Sequence, residues 1–181
     1  HRPLERLRLH LDHLHGGGRD LHDRRGPQPL VQPLTDPHDE AAEQQRADRD
    51  DDPAIWYGDC IEILLETEQN SYYQIAINPA GAVVDLDRAG DKLGFNWSSK
   101  AEVATHVGED FWSIEARIPV AEISDDPLHE VVGRQPRENL PWFFNVCRKR
   151  IRDTGTAVSA FSPTGDNTFH DVRKLAKLYV K

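Results

Sequence analysis

The sequence has no methionine, only two cysteines, and no phenylalanine, tyrosine or tryptophan before Trp56. Two cysteines are too few for a disulfide scaffold. No apolar run approaches the ~20 residues of a membrane-spanning helix, and no signal-peptide pattern is visible. The net charge of −9 comes without a basic field, which argues against nucleic acid and anionic membranes as partners.

The first part of the chain differs in composition from the rest. Residues 1–54 also lack Ser, Asn, Lys, Ile and Cys, and every residue type there except Thr35 can be encoded with G or C in the first codon position. A GC-rich gene read one base out of frame gives this pattern. We therefore predict that residues 1–50 are a frameshifted or low-complexity segment without stable structure, and that residues 51–181 form the folded domain.

Four histidines of this first segment look like a metal-ligand cluster: His10, His13, His15 and His22. Imidazole suits Zn, Cu and Ni. However, no apolar periodicity around these residues indicates a rigid site, and no pattern of carboxylates that would orient the imidazole rings is evident. The sequence therefore predicts no metal site here.

From Ile55 onward, short apolar alternations separated by turn residues predict β-strands. In the segment Ser71–Asn78, for example, Tyr73, Ile75 and Ile77 should share one face. The predicted strands are Cys60–Glu66, Ser71–Asn78, Ala82–Leu86, Glu102–Val107, Phe111–Ile118, Trp142–Arg150, Ala157–Phe161 and Leu175–Val180.

The connections complete the predicted architecture. Pro79-Ala80-Gly81 and Gly108-Glu109-Asp110 are typical of tight turns. Pro119–Ile123 is predicted as one helical turn, and residues 124–140 as a loop. Short strands at this spacing predict an all-β fold, an antiparallel β-sandwich of the jelly-roll type that lacks intact N-terminal strands.

Several ordered segments resemble carbohydrate-binding module family 9. They are Ile55–Glu66, Tyr72–Pro79, Phe111–Pro119, Phe144–Arg148, Phe161–Thr164 and the pair Phe169-His170. The resemblance covers about residues 50–181, with the segments in the right order. The family fold is a β-sandwich whose extra N-terminal strands would fall where residues 1–50 stand.

The resemblance implies a non-catalytic module that holds glycan chain ends or short sugars between two aromatic rings. Such modules are commonly attached to secreted enzymes that degrade polysaccharides. The implied partners are therefore an oligosaccharide or polysaccharide and a tethered catalytic domain. The implied location is secreted, periplasmic or on the cell surface. Some members carry structural Ca²⁺, so a structural calcium ion is left open for this chain.

Three residues match the family's first aromatic wall and the acidic positions after it: Trp56, Asp59 and Glu62. On the opposite wall, Phe169 stands where the second aromatic is expected, although well-studied binders have Trp there. Asp166 stands where an amide is expected.

Sugars present flat patches of C–H bonds edged by hydroxyl groups, which aromatic faces and polar side chains bind together. Gln74 and Arg148 lie on predicted polar strand faces and could reach such hydroxyls. The predicted carbohydrate-binding residues are Trp56, Asp59, Glu62, Gln74, Arg148, Asp166 and Phe169.

The other tryptophans, Trp97, Trp112 and Trp142, are predicted to lie in the core, because they accompany apolar alternations. Cys60 and Cys147 are predicted to be small buried thiols, with a disulfide between them as the alternative. Cys147 also stands where the family has a polar sugar-binding residue.

Other functions were weighed against the sugar-binding hypothesis. The segment that starts at Asp85 begins like an EF-hand loop but has Ala89 and Asn96 at ligand positions, so it predicts an acidic turn. No carboxylate pair or Gly-x-Ser-x-Gly motif indicates an enzyme. A related haem-binding sandwich would have only histidines to offer, because methionine is absent. A protein-interaction domain with a decayed sugar site is the remaining alternative.

Overall fold

The computed structural model describes Leu7–Leu11 as a strand backbone and residues 50–68, 71–88, 97–109, 111–123, 125–126, 129–165 and 168–180. This part of the chain is all-β. Its strands are β1 (Leu7–Leu11), β2 (Cys60–Glu68), β3 (Ser71–Ile77), β4 (Val83–Asp87), β5 (Glu102–Val107), β6 (Trp112–Ile118), β7 (Val120–Ala121), β8 (Val131–Val132), β9 (Trp142–Arg152), β10 (Gly155–Ala160) and β11 (Ala176–Leu178). Two short 3₁₀ turns, Pro53–Tyr57 and Val172–Lys174, accompany them.

The strands form a large and a small antiparallel sheet. The large sheet has the order β10-β9-β2-β3-β4. Strand β11 pairs with the beginning of β9, ahead of the part of β9 that pairs with β10. The small sheet has the order β1-β6-β5. β7 and β8 form a short parallel pair. This arrangement confirms the predicted all-β antiparallel fold.

One face of the large sheet, called here the inner face, packs on the small sheet. Ile61 and Ile63 of β2 and Ile75 of β3 contact Ile114 and Ile118 of β6 in one buried cluster. Alternation puts these residues on one side of each strand, because successive side chains point to opposite faces. Trp97 and Trp142 belong to the same cluster and Trp112 packs against it, which confirms their predicted core position.

The opposite face of the large sheet, called here the outer face, is also buried, but short segments cover it instead of a sheet. At one end Ile55 packs on Cys60, Ala76 and Val84. At the other end a second small cluster covers the outer face. It consists of Leu64, Cys147, Phe169 and Leu175. Between these two clusters the outer face carries polar side chains.

The turns follow the sequence signals closely. Gly81 has a φ of 85°, the left-handed conformation that glycine adopts without steric cost, and its N–H bonds to the carbonyl of Asn78 at 3.0 Å. The carbonyl of Phe111 accepts the N–H of Gly108 at 2.8 Å and closes the β5–β6 hairpin.

Two local predictions differ from the structure. Pro119–Ile123 is not a helical turn, because Val120 and Ala121 pair with β8. The predicted loop 124–140 contains β8. Strand β1 lies inside the segment 1–50 and pairs with β6. The prediction for residues 1–50 as a segment stays a prediction, because residues 1–6 and 12–49 lie outside the described part.

No helix in the described part of the chain has the length and apolar character needed to cross a membrane.

Candidate functional site

The turn that carries Trp56 is built by its own sequence. Asp52 caps it by accepting the N–H of Ala54 at 2.9 Å, and Pro53 occupies the first position, where its missing N–H costs nothing. Ile55 is 1% exposed and anchors the turn on the outer face. Trp56 is half-buried and packs beside it.

Two polar contacts tie this turn to β9. The Lys149 ammonium donates to the carbonyl of Trp56 at 2.7 Å. Asp59 accepts the backbone N–H of Ile151 at 2.8 Å and forms an ion pair with Arg152 at 2.9 Å. Asp59 therefore fixes the start of β2 to β9. Its predicted sugar contact stays a prediction.

Glu62 lies at the centre of the outer face and is only 4% exposed. Its cross-strand neighbours are small, Ala76 on β3 and Cys147 on β9. The carboxylate accepts Gln74 Nε2 at 2.5 Å, and the Trp56 side chain, whose only hydrogen-bond donor is the indole N–H, lies near it. Burial raises the pKa of Glu62, and the Gln74 hydrogen bond, the Lys149 charge and the Trp56 side chain partly oppose that rise.

Gln74 links this carboxylate to a cation. Its side chain is 1% exposed, and its Oε1 accepts Arg88 Nε at 2.7 Å together with a second guanidinium nitrogen. The amide thus donates to the acid and accepts from the base, which fixes its orientation. We call Trp56, Glu62, Gln74 and Arg88 the polar strip.

Arg88 was not among the predicted site residues. It directly follows β4, in the acidic segment that was compared with an EF-hand loop. The sequence offered one signal for Arg88, namely a basic residue at the end of the strand next to the one that carries Gln74. Only the β3–β4 register shows that the Arg88 and Gln74 side chains meet.

Tyr72 and His170 border the polar strip at the end away from Trp56. The Tyr72 hydroxyl lies 2.9 Å from His170 Nδ1, and the carbonyl of Tyr72 accepts the N–H of Arg88 at 2.9 Å. Burial and the nearby Arg88 charge lower the pKa of His170. Neither residue was predicted as part of the site.

Phe169, the predicted second wall, is a core residue. It is 6% exposed and packs against Leu64, Cys147 and Leu175. Its ring therefore stabilises the segment that covers the outer face.

Arg148, another predicted residue, does not join the polar strip. Arg148 pairs with Ile61, so it lies on the inner side of the sheet, away from Glu62. Asp166 lies outside the described residues.

The two cysteines are free and buried, so the alternative of a disulfide between them is not realised. Cys60 lies opposite Lys149, whereas Cys147 lies opposite Glu62. Burial raises the pKa of each thiol to about 12, with a further contribution from Glu62. Both thiols therefore remain protonated and unreactive at neutral pH.

Metal-site geometry is not found within the described residues, where no three His, Cys, Asp or Glu side chains converge. Asp85 points to the inner face and accepts the Ser99 N–H at 2.6 Å, as part of a strand instead of a calcium loop. The three histidines considered for haem ligation lie apart. His106 is on β5, His129 bonds to Asp126, and His170 bonds to Tyr72.

Among the described residues only Glu62 and Asp85 are buried acids, and they lie on opposite faces of the large sheet. A shallow depression of about 290 Å³ on the small sheet is lined by Glu102, Glu115 and Arg117 with small apolar neighbours. It has no aromatic side chain on which a sugar could stack.

No protein-family model matches the chain, and no curated protein is significantly similar in sequence. Among solved structures, the fold is similar to that of a Bacteroides uniformis protein whose name gives carbohydrate binding as its inferred function. The TM-score is 0.55 at 20% sequence identity, and the match covers 73% of this chain and 65% of that one. The chain thus spans slightly less than two thirds of that protein, and the similarity concerns the fold alone.

Proposed function

We propose that the chain is a non-catalytic carbohydrate-binding module of the family 9 type. It holds short sugars or glycan chain ends on the outer face of the large sheet, at Trp56 and the polar strip. In this role it accompanies an enzyme that degrades polysaccharides, either as a tethered domain or as a separate partner, outside the cytoplasm.

The buried hydrogen-bonded centre at Glu62 carries this proposal. Burying a carboxylate is costly unless hydrogen bonds compensate, and a pure β-sandwich core has no need of one. Here the acid is held by Gln74 and lies beside Trp56, between two apolar clusters. Binding sites for small molecules combine such apolar surroundings with a few oriented polar groups. Polar groups kept at a structural cost are expected at functional sites.

The chemistry of the strip suits a sugar in two respects. Trp56 supplies an aromatic surface for C–H patches, and its backbone is fixed by Lys149. Trp56 and Arg88 are the partly exposed members of the strip, and the Arg88 guanidinium can donate to sugar hydroxyls, while the buried Glu62 and Gln74 lie beneath them and orient the guanidinium. The name of the Bacteroides uniformis protein, which shares the fold, points in the same direction.

The test is a calorimetric titration of the folded chain with cellobiose, xylobiose, cellotetraose and xylotetraose. We expect binding of at least one of these glycans, and loss of that binding in Trp56→Ala. Tyr57→Ala is the matched control, because Tyr57 is the neighbouring aromatic and is 71% exposed without packing on the outer face. Equal binding by Trp56→Ala and the wild type would refute the site, and binding of no glycan by the folded protein would refute the function.

A further inference from the structure

The facing wall of the proposed sugar site cannot be Phe169. Its ring is 6% exposed and in contact with Leu64, Cys147 and Leu175, so neither ring face is free for a ligand. Any group that closes the site at this end must therefore come from another residue.

The next residue along the chain, His170, is exposed, unlike Phe169. Its Nδ1 lies 2.9 Å from the hydroxyl of Tyr72, and the two ring centroids are 6.1 Å apart with a tilt of 37°. This contact joins the C-terminal covering segment to β3 across the outer face. It gives the pair a fixed geometry at the edge of the site.

The register places this pair beside the polar strip. Tyr72, Gln74 and Ala76 alternate along one face of β3, and Ala76 lies opposite Glu62. Arg88 links Tyr72 to Gln74, since its backbone N–H bonds to the Tyr72 carbonyl and its guanidinium bonds to the Gln74 side chain. Trp56 and the Tyr72–His170 pair therefore lie at opposite ends of the same strip.

We propose that Tyr72 and His170 together form the second wall of the sugar site and contact the ligand directly. The proposal rests on the proposed function and adds two ligand-contacting residues to it. From Ala76 to Tyr72 the strand rises about 13 Å, whereas van der Waals contact on both faces of one sugar ring needs walls only about 7–8 Å apart. The site therefore prefers an oligosaccharide over a single sugar ring.

The protonation state of the pair suits this role. The lowered pKa of His170 keeps its ring neutral at neutral pH, and burial raises the pKa of Tyr72, so its hydroxyl keeps its proton. When Tyr72 donates to Nδ1, the other ring nitrogen carries the proton and can donate to a sugar hydroxyl. A neutral ring also presents a face for a C–H patch.

The experiment compares the same calorimetric titrations for His170→Ala, Tyr72→Phe and the control His106→Ala, with glucose and xylose added to the glycans. His106 is an exposed histidine on the small sheet. We expect His170→Ala to bind the preferred tetrasaccharide about tenfold more weakly, the factor that corresponds to one lost hydrogen bond. Tyr72→Phe should lose a smaller factor, His106→Ala should bind as the wild type does, and glucose and xylose should bind far more weakly than the tetrasaccharides.

The outcomes distinguish a failure of the proposed second wall from a failure of the proposed sugar-binding function. If Trp56→Ala abolishes binding while His170→Ala and Tyr72→Phe both bind as tightly as the wild type, the second wall is refuted and the function stands. If the folded wild type binds none of the glycans, both are refuted. Thermal unfolding of each variant checks its fold, and Tyr72→Phe, which keeps the ring, decides the matter if His170→Ala is unfolded.

Discussion

The two faces of the large sheet are buried in different ways. The inner face is covered by a second sheet, and its cluster consists of apolar side chains such as Ile63, Ile75 and Ile114; its buried acid, Asp85, lies on the edge strand β4 and is bonded to Ser99. The outer face is covered by two short segments, and it encloses Glu62 and Gln74 between them. The inner face thus accounts for the fold. The outer face contains polar groups that the fold does not require, and there we place function.

The sharpest difference is expected between two adjacent residues of the covering segment. Phe169→Ala should lower the free energy of unfolding by about 3–5 kcal/mol, because it empties the cluster at Leu64 and Cys147. His170→Ala should lower it by only about 1 kcal/mol, because the side chain is exposed and the change removes one hydrogen bond, to Tyr72. Urea unfolding measures both. Equal effects would mean that Phe169 does not anchor the outer-face cover.

A smaller effect is expected from the polar strip. Gln74→Leu keeps the size of the side chain but leaves Glu62 and Arg88 without their shared partner. The cost should be about 1–3 kcal/mol in the free energy of unfolding. Gln135→Leu is the matched control, since Gln135 is exposed and should change stability by less than about 0.5 kcal/mol. If Gln74→Leu is as stable as the wild type, the network contributes nothing to the native state.

The smallest effect concerns the pH dependence of stability. The pKa of Glu62 is raised in the folded protein above the ordinary 4.5, mainly by burial, so the folded state binds the proton more tightly than the unfolded state. The penalty for burying the charge is absent below pH 4.5 and develops as the pH rises through the folded-state pKa.

Glu62→Gln removes this titration. The stability of the wild type relative to Glu62→Gln should therefore fall between acidic and neutral pH, as measured by urea unfolding across that range. A relative stability that rises with pH would contradict the raised pKa.

Strand alternation was enough to predict most of the fold. All eight predicted strands are present with small shifts at their ends, because periodic burial and glycine turns such as Gly81 are local signals. The segment Pro119–Ile123 was misjudged, since its short pairing with Val131–Val132 depends on residues that are distant in sequence.

The proposed site was harder to predict than the fold. Trp56, Glu62 and Gln74 were named from the sequence and lie together on the outer face, because each lies next to a strong local pattern, and their contact with a sugar stays a prediction. The sequence does not show that Arg148 lies on the inner face, because the β2–β9 register, which decides the face, is not visible in either strand alone. Arg88, Tyr72 and His170 enter the site only through contacts between separate elements.

The most direct test follows the four indole N–H signals of the tryptophans during titration with cellotetraose and xylotetraose, by two-dimensional ¹H–¹⁵N NMR, with Trp56→Phe assigning one of them. Ligand binding should shift the Trp56 signal, because the half-buried Trp56 side chain lies beside Glu62 in the proposed site. The signals of Trp97 and Trp142 in the inner cluster should stay in place. A Trp56 signal that does not move, or shifts confined to the inner-cluster tryptophans, would contradict a sugar site on the outer face.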